Sequence, residues 1–120
     1  MNTKKMIIAA DDDSAILDVL QIMLNDAGYD VRTSLNGESI YTMDDEFPQL
    51  FLLDIWMSGN DGREICTYLK SQDTTKHIPV IMISANRDLE EEAKKIGADD
   101  FLEKPFNIDD LFTKVAKHIN

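Results

Sequence analysis

Apolar residues fall along this chain in short unbroken runs that alternate with helical stripes. Met6–Ala10, Leu50–Leu53 and Val80–Ile83 are continuous apolar runs, too short for helices and suited to strands covered on both faces. Tyr29–Ser34 alternates loosely and Asp100–Leu102 is short; both read as further strands. Between the first two runs, Ile16, Val19, Leu20, Met23, Leu24 and Ala27 recur at helical spacing. Asp13 or Ser14 is placed to cap that helix and Gly28 to end it. A short second helix is expected over Gly37–Asp45, capped by Asn36 and separated from the next strand by Pro48. A third spans Arg63–Ser71, with Ile65, Cys66 and Leu69 inward, and a fourth, short and charged, spans Arg87–Ile96 and stops at Gly97. After Asn107, a cap, the last helix carries Ile108, Leu111, Phe112, Val115 and Ile119 as one stripe. The pattern is five strands alternating with five helices, with no linker or repeat, so residues 1–120 read as a single domain.

Strict alternation of strand and helix implies a doubly wound α/β fold, a parallel sheet with helices on both faces. Such sheets bind ligands at the carboxyl ends of their strands. That rule brings together Asp11, Asp12 and Asp13 after the first strand, Asp54 after the third, Ser84 after the fourth, and Lys104–Pro105 after the fifth. Asp54 is the most pointed of these, because it ends an apolar run and is followed by the turn formers Ser58, Gly59, Asn60, Asp61 and Gly62.

Composition narrows the chemistry. The sequence holds 23 acidic and 12 basic residues, a formal net charge of -11. That excess opposes direct binding to nucleic acid or an anionic membrane and favours a cation or a basic protein surface. One cysteine, Cys66, excludes an internal disulfide and fits a reducing compartment. No apolar run approaches a membrane span and the opening MNTKK has no signal-peptide core, so a cytoplasmic location is expected.

Clustered carboxylates repel, and each raises its neighbours' pKa. A hard divalent cation such as Mg²⁺ resolves that conflict with oxygen ligands. Lys104 adds a positive charge suited to a phosphoryl group, and Ser84 a hydroxyl. Asp54 is then a candidate nucleophile, since a carboxylate can form an aspartyl phosphate.

AADDD at Ala9–Asp13, LLDIWMSGNDG at Leu52–Gly62, PVIMISA at Pro79–Ala85 and GADDFLEKPF at Gly97–Phe106 together resemble the receiver domain of two-component response regulators, over essentially the whole chain. The resemblance implies a flavodoxin-like (βα)5 sandwich with strand order 2-1-3-4-5. It implies Asp54 as phospho-acceptor, Asp12 as direct Mg²⁺ ligand, Asp11 acting through a metal-bound water, and the Trp56 backbone carbonyl as a further ligand. Ser84 and Lys104 match the residues that meet the phosphoryl group, Pro105 a supporting proline (often cis in the family), and Phe101 the aromatic that turns inward when the serine moves. Asn86 lines the same entrance. The phosphoryl donor implied is a sensor histidine kinase or a histidine phosphotransfer protein. Phosphorylation would reshape the face of the fourth helix, fifth strand and fifth helix, and so control a downstream target protein or an output domain outside this sequence. Some domains of this kind also form homodimers through the face of the fourth and fifth helices. The chemistry implied is self-phosphorylation and slow self-dephosphorylation, not enzymatic turnover.

Two departures stand out. Ser58 occupies a position where the family most often has proline, and Trp56 brings bulk beside the acceptor that is expected to shield an acyl phosphate from water. Each residue also has a plainer reading. Asp54, Asp11 and Asp12 could be strand-end and helix caps, Ser84 a cap, Lys104 a surface cation and Phe101 a core aromatic. Cys66 reads as a buried hydrophobe, and His77 and His118 as surface residues. An alternative function is a receiver-like interaction module that is not phosphorylated. A phosphohydrolase of the haloacid dehalogenase type needs a second acid two residues past its nucleophile, where Trp56 stands here.

Overall fold

The computed structural model describes residues 4–119. Its main elements are β1 (Met6–Asp11), α1 (Ser14–Asp26), β2 (Asp30–Leu35), β3 (Leu50–Asp54), α2 (Gly62–Ser71), β4 (Val80–Ser84), α3 (Glu90–Lys95), β5 (Asp100–Glu103) and α4 (Ile108–Ile119). The strands form one parallel sheet in the order β2-β1-β3-β4-β5, the 2-1-3-4-5 arrangement implied by the resemblance.

Alternation along β3 divides the interior in two. Leu50 and Leu52 pack with Leu17, Leu20 and Leu24 of α1 and Leu111 and Val115 of α4. Phe51 and Leu53 pack on the other face with Ile65, Cys66 and Leu69 of α2 and Ala93 of α3. All five residues of β3 and all five of β4 are buried, as expected of central strands with helices on both sides.

Three expectations need correction. Gly37–Asp45 forms no α-helix; it makes one 3-10 segment, Glu38–Thr42, in which only Ile40 is buried. Its far end runs into Asp44, Asp45 and Glu46, negative charges where a helix dipole disfavours them, so the turn is not propagated. The fourth helix divides into a 3-10 turn, Arg87–Leu89, and the six-residue α3. The inner stripe of α1 is Leu17, Leu20 and Leu24, while Val19, placed inside by spacing alone, is exposed. A two-stranded hairpin, Trp56–Met57 with Asn60–Asp61, was not foreseen.

Candidate functional site

Each strand of the sheet's centre releases its chain at the carboxyl edge, and the last residues carry the candidate chemistry. Asp11 ends β1, Asp54 ends β3, Ser84 ends β4, and Lys104 follows β5. Carboxylate oxygens of Asp11, Asp12 and Asp54 lie within 4.8 Å of one another. Asp11 and Asp54 are buried, at 1% and 5% relative exposure, while Asp12 faces solvent. Lys104 Nζ spans the buried pair, 3.0 Å from Asp11 Oδ2 and 3.2 Å from Asp54 Oδ1.

The rest of the loop network holds these acids in place. Asp11 Oδ1 accepts the Asp13 N–H at 3.0 Å, and Asp13 Oδ1 in turn accepts the Ala15 N–H at 2.9 Å as the cap of α1. Asp12 Oδ2 accepts both the N–H and the hydroxyl of Ser58, at 3.0 and 3.2 Å. The backbone donor in that pair is one that a proline at position 58 would lack.

Electrostatics follow from burial. Burial pushes the Asp54 carboxyl up to about 6; the charge of Asp11 adds to the rise, and Lys104 opposes it. Burial alone would lower Lys104, but its bond to Asp11 and the charge of Asp54 outweigh that and raise it. A single ammonium against three carboxylates leaves an oxygen-lined, negatively charged recess. Hard oxygen donors with unneutralised charge fit a hard divalent cation such as Mg²⁺ and not a soft metal.

Ser84 is 1% exposed, and its Oγ accepts the Asn86 N–H at 3.0 Å. Asn86 does not line the recess as a free side chain: its Oδ1 accepts the Asp88 N–H at 3.0 Å, capping the 3-10 turn before α3. Phe101 packs in the α2–α3 core at 4% exposure and so already sits inward. The Lys104–Pro105 peptide is cis. Trp56 opens the hairpin two residues past Asp54, with its indole largely in solvent. The structure therefore brings Asp11, Asp12, Asp54 and Lys104 into one cluster and Ser84 to the adjoining strand end.

Sequence reading missed three neighbours. Ser58 is one. Gly62 is another: a Cβ there would lie 2.2 Å from the Asp54 carbonyl oxygen, so no other residue fits without moving the acceptor's backbone. Arg63 is the third, its guanidinium carbon 4.6 Å from the Trp56 ring centroid. The D-G pair at 61–62 marked a turn but not this close approach.

Outside the site, Cys66 is a buried thiol that burial pushes up to about 11, in keeping with a packing role. His77 is exposed as expected. His118 is not a surface residue: its Nε2 lies 3.0 Å from Asp100 Oδ2 and its side chain is mostly covered.

The profile of the response regulator receiver domain matches residues 7–116. The DNA-binding dual master transcriptional regulator RpaA of Synechocystis is 34% identical over 112 residues, which cover 91% of this chain and 46% of that regulator. The chain thus spans about half the length of that relative. The receiver domain of NtrX from Brucella abortus is 33% identical, with a TM-score of 0.85 over 94% of this chain and 97% of that one. The chemotaxis protein CheY4 of Vibrio cholerae gives a TM-score of 0.88 at 26% identity over 97% and 99% of the two chains. With the profile spanning nearly the whole chain and the strand order in agreement, this protein belongs to the response regulator receiver domain family.

Proposed function

We propose that the domain is a phospho-accepting switch in a two-component phosphorelay, with Asp54 as acceptor. One observation carries this reading: Asp54 is buried beside Asp11 and Asp12, and a single lysine, Lys104, spans it and Asp11. Asp11, Asp12 and Asp54, with the Trp56 carbonyl, would hold Mg²⁺. The ion, when bound, offsets negative charge on the transferring phosphoryl group.

The chain's own residues do the remainder. An Asp54 carboxylate oxygen attacks the phosphorus of a phosphohistidine on a kinase or phosphotransfer protein. An O–P bond forms, the P–N bond breaks, and the imidazole leaves with its electron pair. Lys104 is already 3.2 Å from Asp54, so its ammonium needs little motion to pair with the new phosphoryl oxygens. The Ser84 hydroxyl accepts one hydrogen bond, from Asn86, and its proton remains available to donate. Turning toward the phosphoryl group to donate that proton would draw the Ser84 side chain from Asn86, the residue that caps the turn into α3. The phosphorylated state gains contacts that the free state lacks, which is the condition for a population shift. The face of α3, β5 and α4 then presents a different surface to a target or output domain.

In this role the domain turns over no metabolite and works in the cytoplasm. Its acidic surface gives it no direct hold on nucleic acid. The test is transfer of labelled phosphate from a phosphorylated histidine phosphotransfer protein. Label that reaches the wild type, is lost in base as acyl phosphates are, and is absent in Asp54→Asn supports the reading. No transfer to the wild type, either from that protein or from acetyl phosphate, would favour an unphosphorylated interaction module.

A further inference from the structure

Arg63 takes no part in the proposed phosphoryl chemistry, yet it ties three elements together. Its Nε donates to Asp61 Oδ1 at 3.0 Å and its Nη2 to Asp61 Oδ2 at 2.7 Å. Its Nη1 donates to Glu92 Oε1 of α3 at 2.9 Å. The same guanidinium stacks on Trp56, 4.6 Å from the ring centroid. Asp61 pairs with Trp56 across the hairpin and caps α2 by accepting the Arg63 N–H at 2.9 Å. One side chain on α2 therefore fastens the hairpin that follows Asp54 to α3.

The geometry points to Arg63 as a positioning residue through which α3 and the loop after Asp54 sense each other's position. This inference rests on the phospho-acceptor reading of Asp54. α3 is six residues long and Ala93 is its one buried residue, so its own packing holds it weakly. Two polar attachments locate it: the Ser84–Asn86 bond ahead of its first turn, and the Arg63–Glu92 pair on its flank. When Ser84 leaves Asn86 for a phosphoryl group, the first attachment is given up. The second then transmits any displacement of α3 to Arg63, and from Arg63 to Trp56.

Coupling of this kind runs both ways, because a free energy linking two sites is shared by both. A target that captures α3 would change how firmly the hairpin is held beside the acceptor. The device needs arginine in particular. A planar guanidinium can form the fork on Asp61, reach Glu92 and stack on an indole at once, whereas a lysine ammonium cannot.

Trp56 is the sole tryptophan, so its fluorescence reads the hairpin without a label. Wild type, Glu92→Ala and Arg63→Lys are treated with acetyl phosphate and Mg²⁺, with phosphoryl addition verified by intact mass and Trp56 emission followed in parallel. The expected wild-type result is one added phosphoryl group with a shift in emission. Glu92→Ala removes the acceptor on α3 and leaves Arg63 on Asp61, so its emission before phosphorylation should match wild type. Its phosphorylation-linked shift should fall by about 2-fold or more, the low end of couplings between contacting groups. Arg63→Lys, which keeps the charge, should show the same loss. Full phosphorylation with an undiminished shift in Glu92→Ala would overturn the inference alone. No phosphoryl addition in wild type, from acetyl phosphate or from a phosphorylated histidine phosphotransfer protein, would overturn the acceptor reading and the inference with it.

Discussion

At Asp54 two demands compete. The carboxylate must be ionised to attack phosphorus, and buried enough to keep its ester from water. Burial sets the balance at about 6, so the group is largely ionised at neutral pH but at a cost to the fold. Its pKa in the folded state lies above the ordinary aspartate value of 3.8, so the folded state binds more protons than the unfolded one between those values. Stability therefore falls as pH rises through that window. In metal-free buffer, Asp54→Asn should raise the unfolding free energy at pH 7.5 by about 1–3 kcal/mol. The gain should shrink toward zero at pH 4, as read by urea denaturation at each pH. Gly62→Ala should do the reverse, because its Cβ would meet the Asp54 carbonyl at 2.2 Å; a loss of about 3 kcal/mol or more is expected from such overpacking. Asp54 was legible in the sequence because an acid directly after a buried apolar run has few structural excuses. Gly62 and Ser58 were not, because their roles lie in how closely one loop approaches another strand.

Among the elements, α4 shows how a single buried acid can dock a helix. Asp100, at the start of β5, receives Lys114 at 3.0 Å and His118 at 3.0 Å, both from α4, and the Phe101 N–H at 2.9 Å. Burial would raise its pKa, but the bonds from His118, the Phe101 N–H and Lys114 outweigh that and hold it at about 2. An acid depressed in the folded state adds stability that is present above its unfolded pKa and is lost as pH falls through the folded value. Asp100→Ala should cost about 1.5–3 kcal/mol at pH 7, as expected for bonds to a charged group. The difference from wild type should narrow below pH 4, measured by thermal unfolding. Helices with a clear stripe, such as α4, were readable from spacing. The segment after β2 was not: Ile40 is the one buried residue of its 3-10 turn and acids crowd its end, so no packing rescued the helix that its boundaries suggested. His118 was misplaced because its partner, Asp100, lies on a different element, out of reach of any local pattern.

For the molecule as a whole, topology gathers the chemistry. Acids separated by 43 positions, Asp11 and Asp54, meet because β1 and β3 are parallel neighbours. Strand–helix alternation made that meeting predictable, whereas the strand order itself came from the family resemblance. Ligand binding to the folded state alone must stabilise it by mass action. Mg²⁺ at about 100-fold over its dissociation constant should therefore add about 2.7 kcal/mol to wild-type stability, and less to Asp12→Asn, as read by denaturant titration. The most direct test of the switch is intact-protein mass after incubation with acetyl phosphate, with and without Mg²⁺, beside Asp54→Asn. The expected result is one added phosphoryl group that requires both the ion and Asp54. Addition that persists in Asp54→Asn, or its absence from wild type with Mg²⁺ bound, would contradict the assignment of Asp54 as the self-phosphorylating acceptor.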